Sequence, residues 1–510
     1  MNSQYQSTLT AIAQFAAESP NKIALQGRAT ETLTYADLVV SIELTRYRLN
    51  RANANVLGIA MDNSPAWAIV DLAAMQLNLP VVPLPYFFSA EQTAHAIDDA
   101  GINVVLSDQP ILFKQMLDLY GKKILQEKQY LIGDKVLTEL ILDSEKVSEL
   151  PAGTAKITYT SGTTGKPKGV CLDAAALNRV SHSLLEVTKA RPTDRHLNIL
   201  PLSTLLENIA GLYVPLLAGA TAILMPSSQV GLTGATGLNV ATMMEALNAS
   251  KATTTVLTPE LLAALVTAIE SGYSKPPYLR FVAVGGASVS PQLLNRAAAL
   301  GLPVYEGYGL SECASVVALN PPYSNKIGSV GKTLPHVAIK FSGDGEILVK
   351  GASLLGYTGD TNNEQCAEYF PTGDIGHFDD DGYLYITARK KNQFITSFGR
   401  NVAPEWVERE LTMSPFIAQA AVFGEARPWN VAIIVPAKNA IPAEVDMSIA
   451  EINQSLPDYA RVSQWILAEA PFSPQNNQLT SNGRIRRINI LQQYQQKIDE
   501  KYKEQSYAVL

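Results

Sequence analysis

Residues 157–170 read ITYTSGTTGKPKGV, a stretch rich in small and hydroxyl-bearing residues. The ten positions from Thr160 to Gly169 hold four hydroxyl side chains, three glycines and two lysines. Glycine lets the backbone approach an anion closely, amide and hydroxyl groups donate hydrogen bonds to it, and lysine supplies positive charge. The composition therefore predicts a phosphate-binding loop, whose ligands we assign to Thr160, Ser161, Gly162, Thr163, Thr164, Gly165 and Lys166, with Lys168 as a catalytic cation.

This loop differs from the P-loop of kinases and GTPases. That pattern requires G-x-x-x-x-G-K-[ST], whereas Gly162 and Gly165 are three residues apart and Pro167 follows Lys166. The apolar runs 157–159 and 170–172 predict buried strands on both sides, which a flexible linker rich in Gly, Ser and Thr would lack. We therefore expect a phosphate loop between two strands, of a type other than the P-loop.

Length and composition predict a multidomain globular protein. A chain of 510 residues exceeds a single core, and 47% apolar with 17% charged residues gives no compositional case for disorder. The formal net charge of −7 and the lack of a dense basic tract argue against nucleic-acid binding. Three scattered cysteines make neither a disulfide framework nor a zinc site. The first residues lack the pattern of a signal peptide. We therefore expect a cytoplasmic protein.

The segment 209–226 carries no charge and approaches the length of a membrane-spanning helix. Gly211, Pro215 and Gly219 interrupt it. A buried helix, a turn at 218–220 and a buried strand account for the same residues. We therefore predict no transmembrane segment, and we leave peripheral contact with a membrane open.

The order of periodic segments predicts an α/β fold. Helical and extended patterns alternate through the first hundred residues and again through 172–310, which is typical of parallel sheets covered by helices. Helices are expected at 7–17, 35–49, 66–77 and 90–100, and strands at 22–25, 56–61, 81–83, 104–106, 221–225, 254–257, 281–284 and 303–305.

From about Lys326 onward the pattern changes to short strands separated by glycine turns at 343–346 and 379–382, which indicates hairpins of a smaller β subdomain. After Arg389 a compact α+β unit is expected, with a helix opened by Pro404 and a C-terminal helix rich in Gln, Lys and Glu. We place the boundary so that residues 1–389 form a large N-terminal domain and residues 390–510 a small C-terminal domain.

Further motifs accompany the loop in a fixed order. Residues 305–312 read YEGYGLSE, residues 369–374 read YFPTGD, and Arg389 follows Asp374 by fifteen positions. With Gly285-Gly286-Ala287, ITSFGRNV at 395–402 and NGRIRR at 482–487, they resemble the motifs of the adenylate-forming superfamily, which binds AMP. The resemblance covers nearly the whole chain and is nearest in pattern to the fatty acyl-CoA synthetases.

The resemblance implies a site for ATP and Mg²⁺. Tyr308 would stack on adenine beside Gly309, Ser311 would contact the α-phosphate, and Glu312 would ligate Mg²⁺, a hard cation that prefers oxygen. Asp374 would bind both ribose hydroxyls, a role suited to its two acceptor oxygens, and Arg389 would be a second ribose contact. Gly285, Gly286 and Ala287 would line the adenine and acyl pockets.

The resemblance also implies that the C-terminal domain is mobile. Lys391 would be the hinge about which it swings between half-reactions, and Gly399 would line the tunnel of the acceptor thiol. The family uses a lysine near the C-terminus to bridge the substrate carboxylate and the α-phosphate. Arg484 stands at that position, and a planar guanidinium is not equivalent to a compact ammonium. Thr204 likewise replaces a histidine of the acyl entrance.

The sequence therefore predicts an ATP-dependent, AMP-forming acid–thiol ligase. It would adenylate a fatty or other apolar carboxylic acid and pass the acyl group to CoA or to the phosphopantetheine of a carrier protein. Two alternatives stay open: an enzyme of the β-lactone synthetase type, and a catalytically weakened nucleotide- or acyl-binding homologue, for which Arg484 is the main argument. The set Lys168, Glu312, Asp374 and Arg389 favours an active enzyme.

Overall fold

The structure is a computed structural model that describes residues 6–28, 31–133, 135–143, 149–160, 167–233, 237–360, 368–480 and 483–506. It has the predicted α/β architecture, with a large N-terminal domain of sheets and helices, a β subdomain and a small α+β C-terminal domain. Helices and strands alternate through the first hundred residues as expected. The strands Val81–Pro83, Thr254–Leu257 and Phe281–Val284 have the predicted bounds.

An eight-stranded sheet flanks the predicted phosphate loop. Its central strands run parallel, whereas the strands near both edges run antiparallel. Thr160 pairs with Lys168, so the ends of the loop are neighbours. In spatial order the strands are Gly356–Tyr357, Lys168–Asp173, Thr154–Thr160, Val81–Pro83, Leu57–Ala60, Val104–Ser107, Lys135–Leu142 and Ile124–Ile132.

A nine-stranded sheet forms the second half of the N-terminal domain. Six adjacent strands, from Val304–Tyr308 to Ile23–Gln26, run parallel, so their carboxyl ends share one edge of the sheet. In spatial order the nine strands are Lys332–Thr333, Ala318–Leu319, Val304–Tyr308, Phe281–Val284, Thr254–Leu257, Arg195–Leu197, Thr221–Ile223, Ile23–Gln26 and Thr32–Thr34. A separate short ladder pairs Leu232–Thr233 with Gly237–Leu238.

Local sequence signals explain where helices begin. Thr34 accepts a hydrogen bond from the Asp37 amide, and the Asp37 side chain accepts from the Thr34 amide, which makes a capping box. Proline opens several others, where its missing N–H is not needed. The α-helices of the domain are Thr8–Glu18, Tyr35–Arg51, Pro65–Gln76, Ala90–Ala100, Pro110–Leu119, Ala174–Val187, Leu205–Glu207, Val214–Leu217, Val240–Ala249, Pro259–Glu270 and Pro291–Ala299, with 3-10 turns at Ser227–Val230 and Ser311–Cys313.

The uncharged segment 209–226 folds within the N-terminal domain. It contains most of a π-helix, Asn208–Tyr213, then the helix Val214–Leu217 and the strand Thr221–Ile223. Gly219 has a φ of +69°, so the chain turns there between helix and strand. In the part of the chain that the structure describes, no helix combines the length and the apolar character needed to cross a membrane.

Two features were not predicted. The hairpin Ile124–Ile132 with Lys135–Leu142 extends the eight-stranded sheet, and both large sheets end in antiparallel strands. The expectation of parallel sheets therefore holds for the sheet centres. Antiparallel neighbours, such as the two strands of this hairpin, need no helical crossover between them.

The β subdomain and the C-terminal domain follow as expected. Four antiparallel strands make the first: Ala338–Phe341, Glu346–Lys350, Phe370–Phe378 and Leu384–Arg389. The C-terminal domain contains a sheet of Ile417–Phe423, Asn430–Pro436 and Val462–Leu467, a ladder of Phe394–Ile395 with Asn401–Val402, the helices Pro404–Leu411, Pro442–Ser455 and Arg487–Ser506, and a 3-10 turn at Asp458–Ala460.

A buried ion pair connects the strand before the phosphate loop to the core. The Lys156 ammonium lies 2.5 Å from Asp71 Oδ1 and 2.6 Å from Asn208 Oδ1. The Tyr213 hydroxyl donates to Asp71 Oδ2 at 2.6 Å. Lys156 and Asp71 are 2% and 1% exposed, so each charge depends on the other. Removing either partner alone would leave an uncompensated buried charge, which costs far more than the pair contributes.

Candidate active site

A cleft of about 2670 Å³ lies between the carboxyl ends of the parallel strands, the β subdomain and the C-terminal domain. Every predicted catalytic and nucleotide-binding residue that the structure describes lines it, whereas Gly399, expected at the thiol tunnel, does not. The predicted residues that line it are Thr160, Lys168, Gly285, Gly286, Ala287, Tyr308, Gly309, Ser311, Glu312, Asp374, Arg389, Lys391 and Arg484. The predicted ligands Ser161, Gly162, Thr163, Thr164, Gly165 and Lys166 lie outside the described residues.

Asp374 is held by two neighbours. Its Oδ1 lies 2.7 Å from Arg389 Nε, and its Oδ2 accepts a hydrogen bond of 2.6 Å from the Tyr308 hydroxyl. Burial raises the pKa of the Asp374 carboxyl, and the Arg389 charge and the Tyr308 hydrogen bond oppose that rise. A carboxylate has about four acceptor positions, so this arrangement leaves capacity for two further donors.

A β-bulge sets the position of Asp374 against Arg389. Gly376 pairs with Ile386, but the register then shifts, so that Ile375 pairs with Ala388 and Asp374 with Arg389. Thr387 is the additional residue on the second strand. A bulge of this kind re-aims side chains, and here the carboxylate and guanidinium are brought directly opposite each other.

The loop after Tyr308 requires glycine at position 309. A Cβ on Gly309 would lie 1.5 Å from the Ser315 carbonyl oxygen, far inside van der Waals contact. The chain folds back at Ala314 and Ser315, which have φ of +52° and +91°. The tight return places Ser311 and Glu312 on the wall of the cleft.

Tyr357 connects two of the predicted catalytic residues. Its hydroxyl donates to Glu312 Oε1 at 3.5 Å, and the Lys168 ammonium lies 5.2 Å from the centre of its ring. The strand Gly356–Tyr357 pairs with Lys168–Asp173, which keeps the aromatic ring beside the end of the phosphate loop. Lys168 and Glu312 therefore face the same part of the cleft.

Arg484 reaches across from the C-terminal domain. Its Nη2 donates to the Gly286 carbonyl at 3.1 Å. Gly286 has a φ of +85°, a conformation that other residues rarely adopt. A second contact between the domains joins Arg409 Nη1 to Ser288 Oγ at 2.7 Å. The loop after the strand Phe281–Val284 is thus one place where the two domains meet.

Charges of both signs meet in this part of the cleft. Burial lowers the pKa of Lys391, and the neighbouring Arg389 and Arg484 lower it further, while Asp374 and Glu405 act in the opposite direction. Burial and the Arg389 charge likewise lower the pKa of the Arg484 guanidinium, while Asp374 and Glu312 raise it, and the guanidinium stays protonated at any physiological pH. The three neighbouring cations Arg389, Lys391 and Arg484 are suited to an anionic ligand.

Two family models together match most of this chain. The model of the AMP-binding enzyme family matches residues 12–357, and that of the AMP-binding enzyme C-terminal domain matches residues 391–506. The chain belongs to the AMP-binding enzyme family. The family predicted from the motifs is therefore confirmed, and with it the class of AMP-forming acid–thiol ligases.

Relatives of this AMP-binding enzyme are named for several different substrates. Long-chain-fatty-acid–CoA ligase FadD15 of Mycobacterium bovis is 26% identical over 95% of this chain and 92% of its own. The 2-succinylbenzoate–CoA ligase of Bacillus subtilis is 28% identical over 81% of this chain and 84% of its own. The o-succinylbenzoate CoA synthetase of Bacillus subtilis, solved with its acyl-adenylate OSB-AMP, superimposes with a TM-score of 0.75 at 22% identity, covering 96% of this chain and 98% of that one. This likeness confirms the fold.

Three residues of the AMP-binding enzyme's cleft were not singled out from the sequence. Glu306, 6% exposed, precedes the glycine of the Tyr308 motif, and burial raises its pKa to about 8 although the Val289 amide donates to it. Glu306 lies inside the motif YEGYGLSE, so the sequence could have indicated that it is near the site. Tyr357 and Arg409 had no such signal, because their partners are distant in sequence.

Proposed function

We propose that this protein activates a carboxylic acid in two steps, with ATP as the first co-substrate and a thiol as the acceptor. The acid carboxylate attacks the α-phosphorus of ATP, and pyrophosphate leaves. The thiol then attacks the carbonyl of the acyl-adenylate, and AMP leaves. The observation that carries this proposal is the gathering of Asp374, Glu312 and Arg484 on one cleft between two domains.

The nucleotide would be held mainly by the N-terminal domain. Asp374 retains acceptor capacity for the two ribose hydroxyls, and Arg389 adds a donor beside them. The Tyr308 ring, anchored through its hydroxyl, would stack on adenine next to Gly285, Gly286 and Ala287. Thr160 and Lys168 stand at the ends of the predicted phosphate loop, so the triphosphate would extend toward them.

Glu312 would hold Mg²⁺ with its carboxylate, and phosphate and water oxygens would fill the other positions, as is usual for this cation. The Glu312 carboxyl lines the cleft and is half-buried, and among the described residues its one hydrogen-bond donor is the Tyr357 hydroxyl at 3.5 Å, so it fits a hard cation. Bound there, Mg²⁺ would neutralise charge on the phosphates as pyrophosphate leaves.

Arg484 would neutralise charge at the reacting oxygens. It is the residue of the C-terminal domain that reaches Gly286, beside the predicted nucleotide and acyl pockets. A fixed cation stabilises the negative charge that builds up as the carboxylate attacks phosphorus. We further propose that the C-terminal domain then turns about Lys391, so that the loop containing Gly399 presents the thiol of CoA or a carrier protein.

The acid would be apolar over most of its length. The cleft extends beneath the nine-stranded sheet, where Leu184, Ala210, Val214, Phe281 and Ala283 line it. FadD15 of Mycobacterium bovis, by its name a long-chain-fatty-acid–CoA ligase, is similar over nearly the whole chain. Both observations support a fatty or other largely apolar acid. The buried thiols of Cys171 and Cys313 are free, which fits the cytoplasmic location that we expect.

Carboxylate-dependent exchange of pyrophosphate into ATP tests the first step. The purified chain is incubated with ATP, Mg²⁺, labelled pyrophosphate and a panel of fatty, aryl, β-hydroxy and amino acids. Exchange that requires an acid shows adenylation, and the product mass with CoA then separates a thioester from a lactone. Nucleotide binding without exchange for any acid would instead support a homologue that binds ligands and has lost the reaction.

A further inference from the structure

The part of the cleft beneath the nine-stranded sheet is polar at its far end. His196, Thr254 and Phe281 are cross-strand neighbours on three adjacent strands, so their side chains share one face of the sheet. All three line the cleft. Gly285 follows Phe281 by four residues, so this row lies about 13 Å from Gly285 at about 3.3 Å per residue.

Two polar partners hold His196 in place. Its Nδ1 lies 2.9 Å from Thr254 Oγ1, and its Nε2 lies 3.4 Å from Glu207 Oε1. His196 is 4% exposed and Glu207 is fully buried. The Glu207 and Asn198 side chains fit beside residue 211 because it is a glycine. A Cβ on Gly211 would lie 2.8 Å from Glu207 Oε1 and 2.4 Å from Asn198 Oδ1. The imidazole therefore has a fixed orientation.

This group has unused hydrogen-bonding capacity. Among the described residues, Glu207 Oε2 and Asn198 Oδ1 are buried without a hydrogen-bond partner. Thr254 is partly exposed and lines the cleft. If the imidazole Nδ1–H donates to Thr254, the threonine O–H is free to donate. If Thr254 donates to Nδ1, the threonine oxygen is free to accept. In both tautomers Thr254 Oγ1 keeps a hydrogen-bonding position in addition to its bond with His196.

A plain alkyl chain would leave that position unpaired. Burying a polar group without a hydrogen bond costs free energy, whereas a site built to bond a hydroxyl discriminates strongly against an analogue that lacks it. A hydroxyl is both donor and acceptor, so it matches either tautomer of His196.

We propose that the preferred acid carries a hydroxyl group on its chain, at a depth of about 13 Å from Gly285, which hydrogen-bonds to Thr254 Oγ1 on the His196–Glu207 support. This inference rests on the proposed adenylation function and specifies its substrate class. Thr254 is then the residue that determines specificity, and His196 is a positioning residue.

Pyrophosphate exchange with matched pairs of acids tests this. Each pair has one chain length, with and without a single hydroxyl, and the hydroxyl is moved along the chain from pair to pair. We expect kcat/KM to favour the hydroxylated member when the hydroxyl reaches the depth of Thr254. Thr254→Val keeps the side-chain shape and should reduce that preference by about three- to tenfold. His196→Phe should reduce it as well.

Thr255→Val is the matched control. It makes the same substitution on the same strand, but the Thr255 hydroxyl donates to the Leu197 carbonyl at 2.9 Å, and the residue is 1% exposed. The ratio of its kcat/KM for the hydroxylated acid to its kcat/KM for the plain acid should equal that of the parent. The inference is overturned if the parent prefers the plain acid in every pair, or if Thr254→Val changes the ratio no more than Thr255→Val. Absence of exchange with all acids would overturn the adenylation proposal itself.

Discussion

The two sides of the cleft are built differently. On the side of the N-terminal domain, Asp374 and Arg389 on two paired strands form a connected cluster with Tyr308 of the nine-stranded sheet, held by contacts of 2.7 and 2.6 Å. On the opposite side, Arg484 makes one side-chain hydrogen bond to the Gly286 carbonyl, and Arg409 makes another to Ser288. The first side lies entirely within the N-terminal domain. The second side depends on how the C-terminal domain is positioned against it. Substitutions on the first side should therefore affect nucleotide binding, and substitutions on the second should affect the rate of reaction.

The substitution Asp374→Ala should have the largest effect. Each ribose hydrogen bond to a carboxylate is worth about 1.5–3 kcal/mol, so loss of both should weaken ATP binding by at least about 10²-fold. Preference for ATP over its 2′-deoxy analogue should fall as well. Calorimetric titration with both nucleotides measures this. Asp344→Ala, which removes an exposed carboxylate paired with Lys390, is the control. A variant that keeps the full preference would exclude Asp374 as the ribose ligand.

On the other side, Arg484→Ala should slow adenylation by about 10²-fold, the scale for losing one preorganised donor, and leave acyl transfer from supplied acyl-adenylate nearly intact. Pyrophosphate exchange and thioester formation are measured separately. Arg461→Ala is the control, since that arginine donates to Leu456 within the C-terminal domain. Arg484→Lys tests whether the smaller cation restores or improves exchange. If both Arg484 variants match the parent, the C-terminal motif takes no part in adenylation.

The substitution Lys391→Pro tests whether the domain placement must change. Proline fixes φ and removes an amide donor, so the turn at the domain boundary should lose its freedom. We expect one half-reaction to fall by about tenfold or more and the other to survive, because each needs its own placement. Lys391→Ala, which keeps the backbone free, separates the backbone effect from loss of charge. Equal losses in both half-reactions would contradict rotation about this residue.

The smallest expected effect concerns Glu306 and is seen in stability. Burial raises its pKa to about 8, well above the value of about 4.3 for an exposed glutamate. Between these two pKa values the unfolded chain binds fewer protons than the folded one, so the free energy of unfolding falls as pH rises. Glu306→Gln removes this dependence. The melting temperature of the parent should fall relative to that of the variant between about pH 5 and about pH 8. Above about pH 8 the difference between the two melting temperatures should stay constant. A constant difference over that range would contradict a buried neutral carboxyl.

The sequence predicted the fold well because its local signals agreed with the tertiary structure. The capping box at Thr34, the prolines that open helices and the apolar runs of buried strands all depend on nearby residues. The hairpin Ile124–Ile132 with Lys135–Leu142 was missed because its outer strand is exposed over most of its length and carries polar and charged residues such as Gln126, Glu127 and Lys128.

The candidate site was predicted less completely, for a physical reason. Motif residues such as Asp374 and Glu312 could be predicted because both their side-chain chemistry and their motifs are read directly from the sequence. The environment of each residue depends on packing between distant segments. Tyr357 lies 45 positions from Glu312, and Arg484 lies 198 from Gly286, so neither contact follows from local sequence. The polar row of His196 and Thr254 depends in the same way on strand register.

The bulge at Thr387 decides which residue faces Asp374. Along the hairpin, Phe378 pairs with Leu384 and Gly376 with Ile386, and in that register Asp374 would face Ala388. The one additional residue moves Arg389 into its place. A chain that lacks this residue has the arginine one position earlier, and the regular register then again pairs it with the aspartate. In an alignment of related chains, a single gap at Thr387 should therefore leave the aspartate–arginine pair and the nucleotide site intact, because the bulge is lost together with the residue.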